Sequence, residues 1–125
     1  MDFKIIDRPM PGKPAEPHKF YATIVRPRNV ALDTLSKRIA EVSPVSELDT
    51  LSVLNAFVRI LPEYLKEGAT VELGDLGRMM VNMSSGGADT AEDFDKNLIK
   101  GNKISFHPST KVKSVLKNVA YNKVV

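Results

Sequence analysis

The sequence contains no cysteine. Disulfide bonds, thiol nucleophiles and cysteine-type zinc sites are therefore excluded. No apolar run approaches the roughly 18 residues of a membrane-spanning helix. Lys4, Asp7 and Arg8 interrupt the apolar segment that a secretory signal would need near the N-terminus. We therefore expect a soluble, cytoplasmic protein that has no membrane partner.

The motifs of catalysis and metal binding are also missing. No glycine-rich loop leads into the Lys-Ser/Thr pair of a phosphate-binding loop. Asp93 opens a segment that resembles a calcium loop, but Leu98 stands where such a loop needs glycine and Ile104 where it needs glutamate. His18 and His107 are remote in sequence and lack the spacing of metal ligands. We predict no enzyme, no metal, no cofactor and no small-molecule substrate.

What the sequence does have is an ordinary globular composition with an uneven charge. It is 42% hydrophobic and 26% charged over 125 residues, which suits one domain. Residues 1–29 carry six basic and three acidic groups, and residues 30–83 carry five basic and eight acidic groups. Residues 84–100 carry two basic and four acidic groups, whereas residues 101–125 carry five lysines and no acid. The basic C-terminal end suits phosphate contact, although such a cluster is more often a solvated helix face.

The first 29 residues are predicted to form an N-terminal extension. Residues 3–8 and 19–26 are rich in aromatic and β-branched side chains, which favour strands. Four prolines between them, at positions 9, 11, 14 and 17, are typical of an irregular linker. A single domain is predicted to follow over residues 30–125.

Two helices and a hairpin open this domain. Leu32, Leu35 and Ile39 recur at helical spacing and predict a first helix over residues 32–42. Ser46 is predicted to cap a second helix that runs to about residue 66, and Gly68 to terminate it in the left-handed conformation. Residues 70–73 and 78–83 are then expected to pair as strands around a turn flanked by glycines.

A projecting arm and a basic helix complete the predicted order. Residues 84–102 contain three glycines and few apolar side chains, which indicates a mobile loop or a splayed ribbon. Residues 103–106 return as a strand. Ser109 is predicted to cap a third helix whose buried side consists of Val112, Val115, Leu116 and Val119. Residues 121–125 are expected to add a last short strand.

The second helix carries two apolar stripes, whereas a surface helix of a small monomer usually needs one. One stripe comprises Leu48, Leu51, Leu54 or Asn55, Val58, Leu61 and Leu65. The other comprises Val53, Phe57, Ile60 and Tyr64, at 4-3-4 spacing. We interpret this second stripe as the interface of a homodimer. The alternative is that the sheet of the same chain covers both stripes.

Three pieces in this order resemble the HU/IHF family of bacterial histone-like proteins. They are the two-helix unit that ends at Glu67-Gly68, the glycine-containing turn within residues 71–77, and the Phe-His-Pro-Ser-Thr-Lys run at residues 106–111. The added N-terminal strands resemble a divergent HU-like branch, which we expect to be typical of Bacteroides-type bacteria. The resemblance implies an α+β, HU/IHF-like fold: a helical hairpin, a small antiparallel sheet with a projecting β-arm, and a C-terminal helix. It further implies an intertwined homodimer whose two arms embrace DNA.

The predicted arm departs from the family pattern. HU-like arms carry several basic residues and an Arg-Asn-Pro-type tip, whose proline wedges between base pairs. This sequence has no proline between Met83 and Lys103 and places four carboxylates there. DNA kinking by proline insertion is therefore not carried over to this chain.

The leading hypothesis is architectural, largely sequence-independent binding of double-stranded DNA by a homodimer in the bacterial nucleoid. The residues predicted to contact phosphates are Lys103, Lys111, Lys113, Lys117, Arg78 on the sheet, and Lys96 and Lys100 in the arm. The alternative is an HU-like scaffold that serves as a protein-interaction or structural module, with DNA binding weakened or lost. A DNA-coating dimer that does not bend DNA is a third possibility.

Overall fold

The computed structural model describes residues 1–9, 11–12 and 15–124. Pro14 of the predicted linker and Val125 of the predicted last strand lie outside these ranges. In chain order the elements are β1 (Asp2–Arg8), β2 (Lys19–Ile24), α1 (Leu32–Val42), α2 (Glu47–Lys66), β3 (Val71–Glu72), β4 (Gly77–Ser85), β5 (Ile99–Pro108), α3 (Thr110–Lys117) and β6 (Asn122–Lys123). Short 3-10 turns cover Gly74–Leu76 and Lys96–Leu98. The predicted α+β class is confirmed. None of the helices in the described ranges is long and apolar enough to cross a membrane.

The first sheet is formed by the two ends of the chain. β1 pairs antiparallel with β2, and β6 pairs parallel with the start of β1, where Asp2 lies beside Asn122. The strand order is therefore β2-β1-β6. Both predicted N-terminal strands and the last short strand are confirmed. The pairing itself ties the end of the chain to the N-terminal extension, which local patterns do not predict.

The predicted boundaries of the helical hairpin are confirmed. The Ser46 hydroxyl accepts a hydrogen bond from the Asp49 backbone N–H at 3.1 Å and so caps α2. At the other end Gly68 adopts a φ of 82°. Its N–H donates to the Leu65 carbonyl at 3.0 Å, and the Ala69 N–H donates to the Tyr64 carbonyl at 3.2 Å. This pair of bonds is a Schellman motif, for which glycine is the preferred residue.

Small polar residues lie at the most buried positions of the helices. Ser36 is fully buried, and its hydroxyl donates to the Asp33 carbonyl at 2.7 Å. Thr50 is 6% exposed and donates to the Ser46 carbonyl at 2.7 Å. Each hydroxyl bonds within its own helix, so burial leaves neither donor unpaired. Among the apolar side chains of the described residues, Leu65 alone is classed as buried, at 7% exposure. A single chain therefore has a thin core.

The second sheet contains the predicted hairpin and has the order β3-β4-β5. Gly74 and Gly77 flank its turn with φ angles of 61° and 142°. The arm differs from its prediction, because β4 continues to Ser85 and β5 begins at Ile99. Residues 84–85 and 99–102 of the segment expected to be a loop or a splayed ribbon are therefore part of a paired antiparallel ribbon, and residues 86–98 connect the two strands. Backbone hydrogen bonds, which need no apolar side chains, extend the pairing past the apolar residues on which the prediction rested.

The last helix, α3, is capped as predicted, but the side that was predicted to be buried is partly exposed. The Ser109 hydroxyl accepts from the Val112 N–H at 3.2 Å. Val115 and Leu116, which were predicted to be buried, are 69% and 55% exposed. Val112 and Val119 are half-buried. The helical periodicity correctly identified an apolar face, but the described part of the chain places no element over Val115 and Leu116.

Candidate nucleic-acid interface

The ribbon formed by β4 and β5 has two chemically different faces. Residues directly opposite each other in an antiparallel pair share a face, so the register assigns every side chain. The polar face carries Arg78, Met80, Asn82, Lys103, Ser105 and His107. The apolar face carries Met79, Val81, Met83, Ile104 and Phe106, with Asn102 at its far end. Two of the predicted phosphate-contacting residues, Arg78 and Lys103, therefore lie on the same polar face.

One side-chain hydrogen bond and the cross-strand neighbours of Arg78 define the arrangement of this polar face. The Asn82 amide donates to the Ser105 hydroxyl across the two strands. Arg78 lies opposite His107 on β5 and opposite Glu72 on β3. Within the described residues, no carboxylate lies within ion-pair distance of the Arg78 guanidinium. Its charge remains available to an external anion.

A polar cavity of about 470 Å³ lies where this face meets the start of α3. Its lining consists of Glu72, Gly74, Gly77, Arg78, His107, Pro108, Ser109, Thr110 and Lys113. Arg78 from the sheet and Lys113 from the helix are thus brought to one place, although they are 35 residues apart in sequence. The first turn of α3 adds backbone N–H groups, which favour negative charge. Glu72 is the one carboxylate among the lining residues, so the two cations leave the cavity with a net positive charge, which suits an anion.

The turn before β4 is fastened to α3. The Ser109 hydroxyl donates to the Asp75 carbonyl, and the Ser109 N–H donates to the Leu76 carbonyl at 3.1 Å. Lys111 Nζ lies 3.1 Å from the Asp75 carboxylate. These contacts hold the hairpin turn against the helix N-terminus. The cavity therefore lies between two elements that are joined rather than merely adjacent.

The three predicted lysines of α3 have different surroundings. Lys113 lines the polar cavity. Lys111 is paired with Asp75, but the two side chains are 74% and 82% exposed, and exposed pairs contribute only about 0–1 kcal/mol. A phosphate can therefore replace Asp75 as its partner at little cost. Lys117 lies in the last turn of the helix, where a cation also stabilises the helix dipole.

The two cations of the arm, Lys96 and Lys100, lie at the far end of the ribbon, away from the cavity. Lys96 belongs to the second 3-10 turn. Lys100 occupies a β-bulge, because Ser84 pairs with Gly101 and Ser85 with Ile99. The connecting loop carries four exposed carboxylates, from Asp89, Glu92, Asp93 and Asp95. The local charge at the end of the arm is therefore negative in spite of the two lysines.

The predicted interface residues of α2 are exposed in the single chain. The exposed fractions are 64% for Val53, 44% for Phe57, 47% for Ile60 and 53% for Tyr64. The chain's own sheet leaves these four side chains uncovered. Beside the end of α2, a further cavity of about 620 Å³ separates the helix from the ribbon. It is lined by Pro62, Leu65, Lys66, Glu67, Gly68, Val81, Met83, Asn102, Lys103 and Ile104.

His107, Thr110 and Asn82 were missed as members of this surface. His107 was expected only to pack or hydrogen-bond beside Pro108, yet it faces Arg78 across the strands. Polar and apolar residues alternate over Lys103–His107 of β5, whereas β4 has three consecutive apolar residues at Met79–Val81. Only the pairing register, however, decides which residue faces which. Thr110 joins this surface only because α3 docks on the turn, and no local sequence pattern predicts that docking.

Comparison with known proteins places this geometry in context. Residues 1–123 match the family model HU-HIG, described as an HU domain fused to wHTH, Ig, or Glycine-rich motif. The fold is similar to the 2.25 Å crystal structure of a candidate bacterial DNA-binding protein from Bacteroides vulgatus ATCC 8482, with a TM-score of 0.61 and 14% identity. That match covers 98% of this chain and 48% of the other, so this chain spans about half of its length. No curated protein matches the sequence.

Proposed function

The chain belongs to the HU-HIG family, and from this premise we propose that it binds double-stranded DNA as a homodimer in the bacterial nucleoid. The observation that carries the proposal is the polar cavity shared by Arg78 and Lys113. Cations from the sheet and from the helix face one solvent-open region there. DNA is the anionic polymer that an HU-like scaffold suits.

Phosphate contact accounts for the chemistry of this surface better than base reading does. Lys103, Lys111, Lys113 and Lys117 carry flexible ammonium groups, and their contacts with phosphate position a protein without reading sequence. Arg78 is joined on the sheet by the polar side chains of the same face. We therefore propose largely sequence-independent, architectural binding. Lys96 and Lys100 would contact phosphates only where the arm approaches the duplex.

Dimerisation is supported by the amount of exposed surface. The isolated chain exposes 10577 Å², whereas a compact monomer of 13.8 kDa is expected to expose about 6,600 Å². Part of the excess belongs to the projecting ribbon. Another part is apolar surface on α2, α3 and the ribbon that a second copy would bury. We propose that Val53, Phe57, Ile60 and Tyr64 form the centre of this interface.

Fluorescence anisotropy with a labelled duplex, titrated at several salt concentrations, tests DNA binding. Affinity should fall steeply with salt, with a slope of about −0.9 in log K against log salt for each phosphate contact. The Arg78→Gln/Lys113→Gln variant should flatten this slope, by about 1.8 for each protomer of the dimer that engages the duplex through both residues. Lys37→Gln/Arg59→Gln is the matched control, because both residues are exposed cations of α1 and α2. Affinity that does not depend on salt, or an equal effect of both variants, would refute the proposal.

A second function, a protein-interaction module, is favoured by the composition of the arm. The loop at its end exposes four carboxylates, and no proline lies between Met83 and Lys103. Like charges repel a phosphate backbone, so this loop suits a basic protein partner better than DNA. No DNA binding at low salt, together with a protein partner that depends on the arm, would establish this function instead.

Binding without any change in energy transfer across a doubly labelled duplex would identify a dimer that coats DNA without bending it.

A further inference from the structure

The N-terminal sheet has a basic face that none of the predicted phosphate contacts includes. In the β1–β2 register, Lys4 lies opposite Thr23, Ile6 opposite Tyr21 and Arg8 opposite Lys19. Opposite residues share a face, so Lys4, Arg8 and Lys19 all project from one side of this sheet. We call this side the basic face. Lys4 and Arg8 are about 13 Å apart along the strand, a length over which a duplex presents about eight phosphate charges.

The pairing of Arg8 with Lys19 is unfavourable in the free protein. Like charges directly opposite each other destabilise an antiparallel pair. The two residues end the paired segment, immediately beside the proline-containing connection. Their repulsion is relieved when an anion lies between or above the two cations. This juxtaposition therefore points to a ligand of opposite charge.

The carboxylates of the same strands do not neutralise the basic face. Asp7 lies on the opposite face and pairs with His18, whose Nδ1 is 2.8 Å from the carboxylate. Asp2 shares the basic face two residues from Lys4, but it lies at the far end of the strand from Arg8 and Lys19. Among the described residues, no carboxylate lies within ion-pair distance of Lys4, Arg8 or Lys19. All three side chains are exposed.

The other side of the sheet is apolar. It carries Phe3, Ile5, Phe20, Ala22 and Ile24, with Asp7 and Lys123 at its margins. Phe20 is 72% and Ile5 49% exposed, so in the single chain this side is open as well. Covering by another chain would stabilise the apolar side, whereas burial without a counter-charge would destabilise the three cations of the basic face.

The chain also connects this sheet to the cavity region. Lys117 ends α3, and Asn122 begins β6 of the N-terminal sheet. Five residue steps separate them, which limits their distance to about 18 Å. A duplex lying on α3 therefore passes within reach of the N-terminal sheet.

We propose that Lys4, Arg8 and Lys19 form a second phosphate-contact surface, which extends the DNA-binding surface of this chain beyond α3 and the ribbon. This inference rests on the proposed DNA binding. The partner is the phosphate backbone of a duplex, recognised by charge alone. Tyr21, half exposed between the cations, supplies an apolar ring against the sugar groups.

The test is a salt titration of the full chain on a duplex of about 40 base pairs, long enough to leave the protein room on either side. Lys4→Gln/Arg8→Gln/Lys19→Gln should flatten the slope of log K against log salt by about 2.7 for each engaged sheet. The matched control is Lys37→Gln/Arg38→Gln/Arg59→Gln, which removes the same charge from exposed positions of α1 and α2. The control should leave the slope unchanged.

A single substitution separates binding from folding. Lys19→Glu converts the like-charge pair into an ion pair with Arg8, so the melting temperature should rise slightly while DNA affinity falls. A damaged fold cannot give weaker binding together with higher stability. If the wild type binds DNA and the triple variant keeps its slope, the second surface is refuted and the proposed function stands. If the wild type shows no salt-dependent binding, the proposed function fails and the second surface fails with it.

Discussion

At the residue scale, Gly77 is the glycine whose backbone geometry is least tolerant of a side chain. It begins β4 opposite Pro108 and adopts a φ of 142°. A Cβ at this position would overlap the carbonyl oxygen of His107 and lie 2.9 Å from the Cα of Pro108. Both atoms belong to backbone, so neither can rotate away.

We predict that Gly77→Ala lowers the free energy of unfolding by about 1–3 kcal/mol, because a side chain is strained in this conformation and meets fixed atoms. Chemical denaturation at constant protein concentration measures the effect. Gly87→Ala is the control, since its added Cβ meets open space and its φ is not positive. Equal stabilities of the two variants would contradict the close approach at Gly77.

Ser109 joins the turn to the last helix through one hydroxyl. It accepts from the Val112 N–H at 3.2 Å and donates to the Asp75 carbonyl. Ser109→Ala should therefore cost about 1 kcal/mol of stability, the usual effect of losing an N-cap. Thermal unfolding checks this value. Ser114→Ala, on the exposed side of the same helix, should be neutral or slightly stabilising because alanine favours helix.

At the element scale, α2 carries more apolar surface than the rest of the single chain covers. Phe57 and Ile60 remain nearly half exposed, although α2 lies in the middle of the sequence with elements on both sides. Neither α1 nor the ribbon covers them. The apolar stripe left open along this 20-residue helix suits contact with another protein, and a second copy of the chain offers the same stripe.

Phe57→Glu should dissociate the proposed dimer, because it places an unpaired charge in the interface. A penalty of about 2–4 kcal/mol weakens dimerisation about 30- to 1,000-fold. Light scattering after size exclusion should report twice 13.8 kDa for the wild type and a lower mass for the variant at micromolar concentration. Ser52→Glu, an exposed polar position of the same helix, is the control. A monomeric wild type, or a variant that stays dimeric, would refute the proposed interface.

At the scale of the whole molecule, charge is separated along the fold. Cations gather on the polar face of the ribbon, on α3 and on the N-terminal sheet, whereas the loop at the end of the arm exposes four carboxylates. If the arms approach a duplex, those carboxylates oppose binding. If they contact a protein, their loss has no effect on DNA affinity.

We predict that Asp89→Asn/Glu92→Gln raises DNA affinity several-fold at low salt and that the gain disappears as salt screens the repulsion. Anisotropy titrations measure both effects. Glu47→Gln/Glu63→Gln is the control, because both residues are exposed carboxylates of α2. No change in the arm variant would place the loop away from DNA and favour the protein-interaction function.

Local chemistry explains why much of the fold was predictable. Ser46, Gly68 and Ser109 each set a helix boundary through contacts within a few residues, and all three were found where the sequence placed them. Gly74 and Gly77 marked the turn for the same reason, since positive φ is cheap only for glycine. The arm was harder, because its pairing past Ser84 depends on backbone bonds that any side chain permits.

The candidate site was predicted residue by residue but not as a surface. Arg78 and Lys113 were both named from the sequence, yet nothing in it joined them. His107 was set aside because a lone histidine carries no pattern. The register of β4 with β5 placed it opposite Arg78.

Patterns in the sequence predict the order of elements, the helix caps at Ser46 and Ser109, the glycine turn and the excess apolar stripe of α2, because each depends on neighbours along the chain. Tertiary structure alone decided that β6 returns to β1, that the turn is fastened to α3 through Ser109, and that Arg8 faces Lys19. These are contacts between residues far apart in sequence. They depend on register and docking, which the periodicity of single segments leaves undetermined.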